Sequence, residues 1–297
     1  MDTEDTAFFH SWFRNYVRGF YSEDPKTQMN IRLKEEHTLR VCTEIVRLGK
    51  ALKPNTKSLR LELAETIALF HDIGRFEQFK TYGTFDDRAS ENHATLGLKV
   101  LKATDILNRL TEMERAIVYK AIGYHNVRKL PDHADEDEDE NKNPDWLLYS
   151  KLLRDADKLD IWRVVTDYYT ERHRHRNTAL ELELPDTPEY SRCFIDDILD
   201  NRVSNSRELK TFNDMKLLQL GWIFDINFAP TFRYIRQRRI IEKIIAALPD
   251  TDDIRKIQKH LNDYLEEKAL QERTIFDNRT QMNADNQDFK TRKQIIK

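Results

Sequence analysis

Apolar residues recur every three or four positions through most of this chain, which is the spacing of one face of an α-helix. The first such segment, residues 6–21, repeats Phe9, Phe13, Tyr16 and Phe20, a stripe that we assign to the core. Only 7 glycines and 8 prolines are spread over 297 residues, so turn-forming residues are few. Because a sheet-rich fold needs many turns, the pattern predicts an all-α protein of long helices with short connections.

Further helices are predicted over residues 31–48, 58–73, 90–101, 111–125, 145–165, 215–228, 233–248 and 253–271. Gly49 and Gly74 are expected to end the second and third helices. Thr111 followed by Glu114 is a capping-box pattern. The acidic run at 132–143 cannot bury a face, so we expect a solvated loop there, and the polar stretch after about Arg273 should be loosely held.

Histidines stand inside the apolar stripes of four predicted helices. One histidine on such a face is more often a hydrogen-bonded core residue than a ligand. Burial of several histidines together with carboxylates requires a common binding partner, because each unpaired buried polar group would cost a few kcal/mol. A helical bundle can direct them all at one interior point. The candidate metal ligands are His37, His71, Asp72, His93, His125 and Asp157.

The donor atoms narrow the identity of the metal ion only in part. Six nitrogen and oxygen donors suit two divalent ions, and Mn, Fe, Mg, Co, Ni and Zn all accept such a set. The two cysteines, Cys42 and Cys193, are far apart and lack CxxC spacing, so they predict neither a thiolate site nor a disulfide framework. They fit a reducing compartment.

Three motifs carry a resemblance to a known family: "HTLRV" at 37–41, "HDIGR" at 71–75 and "DADKLD" at 155–160. In this order and spacing they resemble the HD-domain metal-dependent phosphohydrolases, an all-α family. The resemblance implies His37, His71, Asp72 and Asp157 as metal ligands. Asp155 and Asp160 compete for the last position, but the family's AD-x-L pattern and the helical phase favour Asp157.

The other two histidines, His93 and His125, resemble the extra pair of the family's binuclear branch, which implies two divalent metal ions. The stretch "NVRKLPD" after His125 departs from the cyclic-di-GMP branch, so a third metal and that substrate are not expected. Signatures of the (p)ppGpp hydrolases and of the mammalian cyclic-nucleotide esterases are also not evident.

The resemblance covers about residues 30–165 and suggests a division of the chain. We expect an N-terminal helical extension at 1–30, an HD metal-binding core at 31–165, and a C-terminal helical region at 166–297 packed on the core. The expected fold is an HD-domain helical bundle with an N-terminal helix and additional C-terminal helices.

The implied activity is hydrolysis of a phosphomonoester or phosphodiester of a nucleotide or similar small phosphate. A pair of cations would lower the pKa of the attacking water, and Asp72, shared by both ions, would orient it. Arg75 and Lys158 are candidate donors to the substrate phosphate, although both fit equally well as surface charges. Two alternatives stay open: a catalytically silent nucleotide-sensing module, and di-iron oxygenase chemistry on the same fold.

Composition bears on partners and location. Lys+Arg 49 nearly balances Asp+Glu 52, and the net charge of −3 gives no global attraction to nucleic acid or anionic membrane. The one basic cluster, "ERHRHR" with Arg172–Arg176, has no interleaved aromatic residues, so a solvated face or a subunit contact is favoured over a nucleic-acid or polyphosphate site. The start "MDTEDTAFFHSWF" lacks a signal-peptide pattern, and we expect a cytoplasmic protein, compatible with a homo-oligomer, with a small phosphorylated substrate.

Overall fold

The computed structural model describes residues 1–131, 145–174, 176–178 and 180–271. Helices form the regular structure of these described residues, and no β-strand occurs among them, which confirms the all-α prediction. The helices are α1 (Thr3–Arg18), α2 (Pro25–Leu52), α3 (Leu61–Phe70), α4 (Gly74–Tyr82), α5 (His93–Ala103), α6 (Glu112–Gly123), α7 (Asp145–Glu171), α8 (Arg192–Leu199), α9 (Phe212–Gly221), α10 (Ala229–Gln237), α11 (Ile240–Ile245) and α12 (residues 252–271). The acidic run at 132–143, His175 and the stretch after Arg273 lie outside the described residues.

Side-chain caps explain where several helices begin. The predicted capping box is present at α6, where Thr111 accepts from the backbone N–H of Glu114 and the Glu114 carboxylate accepts from that of Thr111. Asp24 caps α2 by accepting from Thr27, and Pro25 stands at its first position. The helix predicted at 31–48 therefore begins six residues earlier, at Pro25. The Asp24-Pro25 pair is a helix-start signal that is visible in the sequence.

The helix predicted over 58–73 is present but shorter: α3 begins at Leu61 and ends at Phe70, and a separate helix, α4, begins at Gly74. A Cβ atom on Gly74 would lie 2.2 Å from the carbonyl oxygen of His93. Gly74 therefore does not stop a helix; it lets the start of α4 touch the start of α5. His71 and Asp72 lie in the turn between α3 and α4.

Other differences follow from tertiary contacts and backbone breaks. Helix α8 has no counterpart in the prediction. The segment predicted as one helix at 233–248 is divided into α10 and α11, because Arg239 takes a left-handed conformation with φ 53°. Likewise α5 begins at His93 with Asn92 as its cap rather than Ser90.

The N-terminal aromatic stripe lies in the core as predicted. Phe9 and Phe13 are fully buried in α1. Their rings meet those of Phe70 and Phe76 edge to face, with centroids 5.5 and 6.0 Å apart. The end of α3 and the start of α4, which flank His71 and Asp72, are thus held from one side by α1.

The two long helices, α2 and α7, pack side by side, and both contact α3. Helices α10 and α11 pack on the same α7 from the C-terminal part of the chain. This arrangement brings the middle of α2, the α3–α4 turn and the middle of α7 together. The division at residues 30 and 165 stays a prediction. None of the described helices is both long enough and apolar enough to cross a membrane.

Candidate metal centre

The six candidate ligands lie on several different elements of the fold. His37 is in the middle of α2 and Asp157 in the middle of α7; His93 is the first residue of α5. The remaining three stand at helix ends: His71 and Asp72 in the α3–α4 turn, and His125 two residues beyond α6. All are buried except Asp157, which is half-buried. The structure brings the six side chains around one internal space.

The two carboxylate oxygens of Asp72 divide this space into two groups of donor atoms. Oδ2 lies 3.6 Å from Nε2 of His37 and 3.8 Å from Nε2 of His71. Oδ1 lies 3.4 Å from Nε2 of His93 and 4.0 Å from Nε2 of His125. Within each group the donor atoms lie within 4.8 Å of one another, a spacing that could hold a metal ion.

Asp157 adds a further oxygen to the first of these groups. Its Oδ1 lies 3.1 Å from Nε2 of His37 and 3.6 Å from Nε2 of His71. The donor set His37, His71, Asp72 and Asp157 is therefore assembled from α2, the α3–α4 turn and α7. The ligand role of each residue stays a prediction that this geometry supports.

In each of the four histidines, a hydrogen bond at Nδ1 determines the tautomer. Nδ1 of His71 and Nδ1 of His125 each face a backbone carbonyl three residues earlier, at 2.7 and 2.6 Å. Nδ1 of His37 lies 2.8 Å from Asp160, and Nδ1 of His93 lies 2.7 Å from Asp87. Since carbonyls and carboxylates only accept, Nδ1 carries the proton in each ring and Nε2 presents a lone pair inward.

The inward atoms lack other partners. Nε2 of His37, Nε2 of His71 and Oδ1 of Asp157 are buried and have no hydrogen-bond partner among the described residues. Nε2 of His93 and Nε2 of His125 lie 2.9 Å apart, within hydrogen-bond distance of each other. Buried acceptors without donors are costly, and a divalent cation in each of the two groups of donor atoms would satisfy them. The residues present therefore fit a metal.

The pKa shifts of the carboxylates show that this space favours positive charge. Burial by itself would raise the pKa of Asp72, but Lys34, His71 and Arg75 outweigh it and hold that pKa well below its usual range. Burial is similarly outweighed at Asp157 by His37 and His71, and the pKa of this carboxyl is lowered. Both are therefore ionised oxygen donors at neutral pH.

The histidine pKa values differ between the two groups of donor atoms. Burial, with His93 and His71 nearby, lowers the pKa of His125 to about 3. Burial and Arg75 also lower the pKa of His93. Burial acts the same way on His37, but the carboxylates of Asp157 and Asp160 outweigh it and raise the pKa of that ring. A site that attracts a proton between carboxylates equally attracts a metal cation.

Two of the aspartates weighed as alternatives have other partners. Asp160 accepts from Nε of Arg40 at 2.7 Å as well as facing His37, so it orients a candidate ligand. Asp155 is fully buried and accepts from the backbone N–H groups of Asn227 and Phe228 and from the hydroxyl of Thr231. Asp155 thereby ties α7 to the start of α10.

Arg75 and Lys158, the candidate donors to the substrate phosphate, already have hydrogen-bond and ion-pair partners in the protein. Nη1 of Arg75 donates to Gln78, to the carbonyl of Phe85 and to Asp87. Nε of Arg75 lies 3.5 Å from Oδ1 of Asp72. Arg75 thus contacts both the candidate ligand Asp72 and Asp87, the partner of His93, yet it still borders the open space beside them.

Lys158 points toward the same open space but has a carboxylate partner. Its Nζ lies 2.6 Å from Oδ2 of Asp225, which also accepts from Arg154 at 2.6 Å. Burial and the neighbouring Arg154 lower the pKa of Lys158, and Asp225 opposes them. Neither Arg75 nor Lys158 is a freely solvated surface charge.

Sequence reasoning missed three residues of the site: Lys34, Asp87 and Asp225. Nζ of Lys34 lies 2.9 Å from Oδ2 of Asp72. Lys34 could have been noticed, because it precedes His37 by one helical turn and shares its face. Asp87 lies in a loop with no periodicity, and Asp225 ends a short 3₁₀ helix within the segment predicted as a helix at 215–228, so no sequence signal indicated either as a site residue.

A single cavity opens from the candidate ligands. It has a volume of about 420 Å³ and reaches from His37, Asp72 and Asp157 past Lys34, Arg75 and Lys158 to Trp222. A pocket with ionised donors at one end and cations beside them can hold a phosphorylated small molecule.

The basic cluster at Arg172–Arg176 lies away from this cavity. Glu181, fully buried, pairs with both Arg172 and Arg176, and Arg172 also lies 2.8 Å from Asp186. These arginines therefore anchor the following segment rather than forming an uncompensated basic patch.

A buried set of imidazole nitrogens and carboxylates in a helical bundle defines a metal-binding all-α domain. Comparison with protein families makes this more specific: residues 35–162 match the model of the HD domain family, so this part of the chain is similar to an HD domain. That family implies the superfamily of metal-dependent phosphohydrolases. No curated protein and no solved structure shows significant similarity to the chain.

Proposed function

We propose that the protein is a metal-dependent phosphohydrolase that splits a phosphomonoester or phosphodiester of a nucleotide or similar small phosphate. The observation that carries this proposal is the convergence of four Nε2 atoms and the carboxylates of Asp72 and Asp157 beside a cavity. The similarity to an HD domain over residues 35–162 supports the same reaction class.

The ligand groups suggest two metal positions with Asp72 between them. His37, His71, Asp72 and Asp157 would hold one ion, and Asp72, His93 and His125 the other. Divalent ions in these places would supply a water of lowered pKa and neutralise charge on the phosphoryl oxygens. Asp72 is the one candidate ligand of both groups, so its orientation determines how the two positions relate.

The cationic side chains around the centre have a role at the substrate phosphate. Lys34, Arg75 and Lys158 all border the cavity next to the candidate ligands. Lys34 neutralises Asp72 when no metal is bound, and a cation on Asp72 would release its ammonium to a phosphate oxygen. Arg75 and Lys158 stay held by Asp87 and Asp225 and contribute positive potential at fixed positions.

The test is hydrolysis of para-nitrophenyl phosphate, bis-para-nitrophenyl phosphate and a nucleotide panel, on protein of measured metal content with Mn²⁺ added. Metal-dependent release of product supports the proposal. Asp157→Asn should lose this activity, while Asp167→Asn, an exposed aspartate of the same helix, should keep it.

Two results would contradict the proposal. Tight metal and nucleotide binding without turnover on any ester would indicate a sensing module. Bound iron with oxygen consumption and no ester hydrolysis would indicate oxygenase chemistry.

A further inference from the structure

The cavity wall beyond the candidate metal centre is apolar. Side chains from α7, from the segment before α8 and from α9 and the turn after it form this wall, namely Ile161, Val164, Leu182, Met215, Leu218 and Trp222. All but Ile161 follow residue 162 and so lie outside the family match. The wall is therefore a feature of this chain rather than of the part that is similar to an HD domain.

Most buried side-chain polar atoms in the same region already have hydrogen-bond partners. Gln219, which borders the cavity, accepts the hydroxyl of Tyr169 at 2.5 Å. Asp225 is occupied by Arg154 and Lys158. Away from the metal centre, Ser204 Oγ is the one buried side-chain polar atom among the described lining residues that lacks a hydrogen-bond partner.

The lining side chains that can still form hydrogen bonds with a bound molecule lie toward solvent. Arg128 is exposed, and Asn126 and Asn205 are half-buried. Arg128 donates to the carbonyl of Val203, so it stays near Ser204 at this more open part of the cavity. The interior wall thus offers a bound molecule hydrocarbon contact and few hydrogen bonds.

These features select against a nucleoside in the cavity. The ribose hydroxyls and base edges of a nucleoside need several hydrogen-bond partners, and leaving such groups buried without partners weakens binding strongly. An alkyl or aryl group has no such demand, and each buried methylene strengthens binding by about fourfold. A cavity of about 420 Å³ has room for on the order of ten groups the size of a water molecule.

We infer that the substrate is a phosphomonoester of an apolar alcohol or phenol, with its phosphate at the metal centre and its hydrocarbon against the wall of Ile161, Val164, Leu182, Met215, Leu218 and Trp222. This inference rests on the proposed phosphohydrolase function. In the reaction, an oxygen of water bonds to phosphorus and the ester P–O bond breaks. The products are inorganic phosphate and the alcohol, which takes up a proton.

The test is phosphate release from n-alkyl phosphates of increasing length, ethyl to octyl, together with phenyl and naphthyl phosphate and the nucleoside 5′-monophosphates, on the Mn²⁺-loaded full chain. We expect kcat/KM to rise about two- to fourfold per methylene until the wall is filled. Naphthyl phosphate should exceed every nucleoside monophosphate by about tenfold or more, because its rings need no hydrogen bonds.

A matched pair of variants locates the effect in the wall. Val164→Asn should flatten the dependence of kcat/KM on chain length, since an amide replaces hydrocarbon contact. Val46→Asn is the control, because Val46 is also a half-buried helical valine but does not border the cavity. It should keep the slope of the unchanged protein.

Binding of n-alkylphosphonates, which are not hydrolysed, separates this inference from the proposed function. Affinities that rise with chain length and lose that trend in Val164→Asn, without turnover of any ester, would refute the hydrolase and leave the ligand class standing. The inference itself is overturned if ethyl phosphate or the nucleoside monophosphates match octyl phosphate in kcat/KM, or if phosphonate affinity does not depend on chain length.

Discussion

Nδ1 of His37 lies 2.8 Å from Oδ2 of Asp160, although the two residues are 123 positions apart in the chain. The same carboxylate accepts from Nε of Arg40 at 2.7 Å, so it is held from two directions on α2. Asp160 thereby keeps the proton of His37 on Nδ1 and leaves Nε2 free to face Asp157 and Asp72. A hydrogen bond to a carboxylate of this kind also makes an imidazole a stronger metal ligand.

Asp160→Ala should therefore weaken metal binding about 10- to 100-fold without removing a candidate ligand. Titration of the metal-free protein with Mn²⁺ or Zn²⁺ by calorimetry gives the affinity directly. Asp167→Ala, an exposed position on α7, is the control and should bind metal as the unchanged protein does. Equal affinity in all three proteins would mean that His37 is not a ligand.

Lys34→Met is expected to change metal affinity and catalysis in opposite directions. Nζ of Lys34 lies 2.9 Å from Asp72, so it competes with a cation for that carboxylate. Its removal should tighten metal binding about three- to tenfold and lower kcat, because a donor to the substrate phosphate is lost. Calorimetry and steady-state kinetics test the two effects separately. Lys50→Met, on the exposed face of the same helix, should change neither, and weaker metal binding in Lys34→Met would refute the competition.

His71→Ala should abolish hydrolysis and metal uptake by the group of donors that contains His71, while the helical signal in circular dichroism remains. The reason is that Nε2 of His71 is fully buried and has no partner other than the proposed metal. A metal ion at 100 times its dissociation constant should stabilise the unchanged protein by about 2.7 kcal/mol, an effect that a chelator removes. In His71→Ala this stabilisation should be smaller, because only Asp72, His93 and His125 remain to hold a metal ion. His260→Ala, whose ring bonds Asn201, should respond as the unchanged protein does.

Gly74→Ala should destabilise the fold and disturb His93. The new methyl group would lie 2.2 Å from the carbonyl oxygen of His93 and 2.4 Å from the backbone nitrogen of Gly97. Relieving this overlap requires α4 and α5 to separate, at a cost of about 1–3 kcal/mol in the free energy of unfolding. Urea denaturation measures that loss. Gly123→Ala is the matched change, because its nearest contact is an ordinary 3.5 Å to Leu98, and we expect it to leave stability nearly unchanged.

Glu114→Gln should reduce stability at neutral pH and lose its effect in acid. Burial by itself would raise the pKa of Glu114, but hydrogen bonds from Thr111, the amino group of Met1 and Arg60 lower it from 4.5 to about 2. A carboxyl whose folded pKa is depressed contributes stability above its unfolded pKa and loses it as the pH falls through the folded value.

The difference in unfolding free energy between the unchanged protein and Glu114→Gln should therefore be about 1–2 kcal/mol at pH 7, allowing for the solvent exposure of Arg60, and should shrink between pH 4.5 and pH 2. Urea denaturation at pH 7, 5 and 3 gives this difference. Glu112→Gln, exposed in the same first turn, should show no such pH dependence. A constant difference across these pH values would rule out this role of Glu114.

The sequence was sufficient to predict most of the helices and the candidate ligands because both are encoded locally. The spacing of apolar residues indicates helical periodicity. The predicted capping box of Thr111 with Glu114 is confirmed. The motifs at 37–41, 71–75 and 155–160 identified a family whose model matches residues 35–162. The geometry places all six predicted ligands around one space, while their roles and the number of metals stay proposals.

Other features depend on atoms that meet only in the folded chain. The close approach of α4 to α5 depends on the contact of Gly74 with His93, and the partners of Arg75 and Lys158 are Asp87 and Asp225, which lie far from them in the chain or outside their helix. The proton positions on the histidines and the apolar wall near Trp222 likewise need distant residues to be adjacent. Local spacing determined the helices and the kinds of donor they carry, but long-range packing decided which groups are paired, which are left facing the cavity, and so what the cavity can bind.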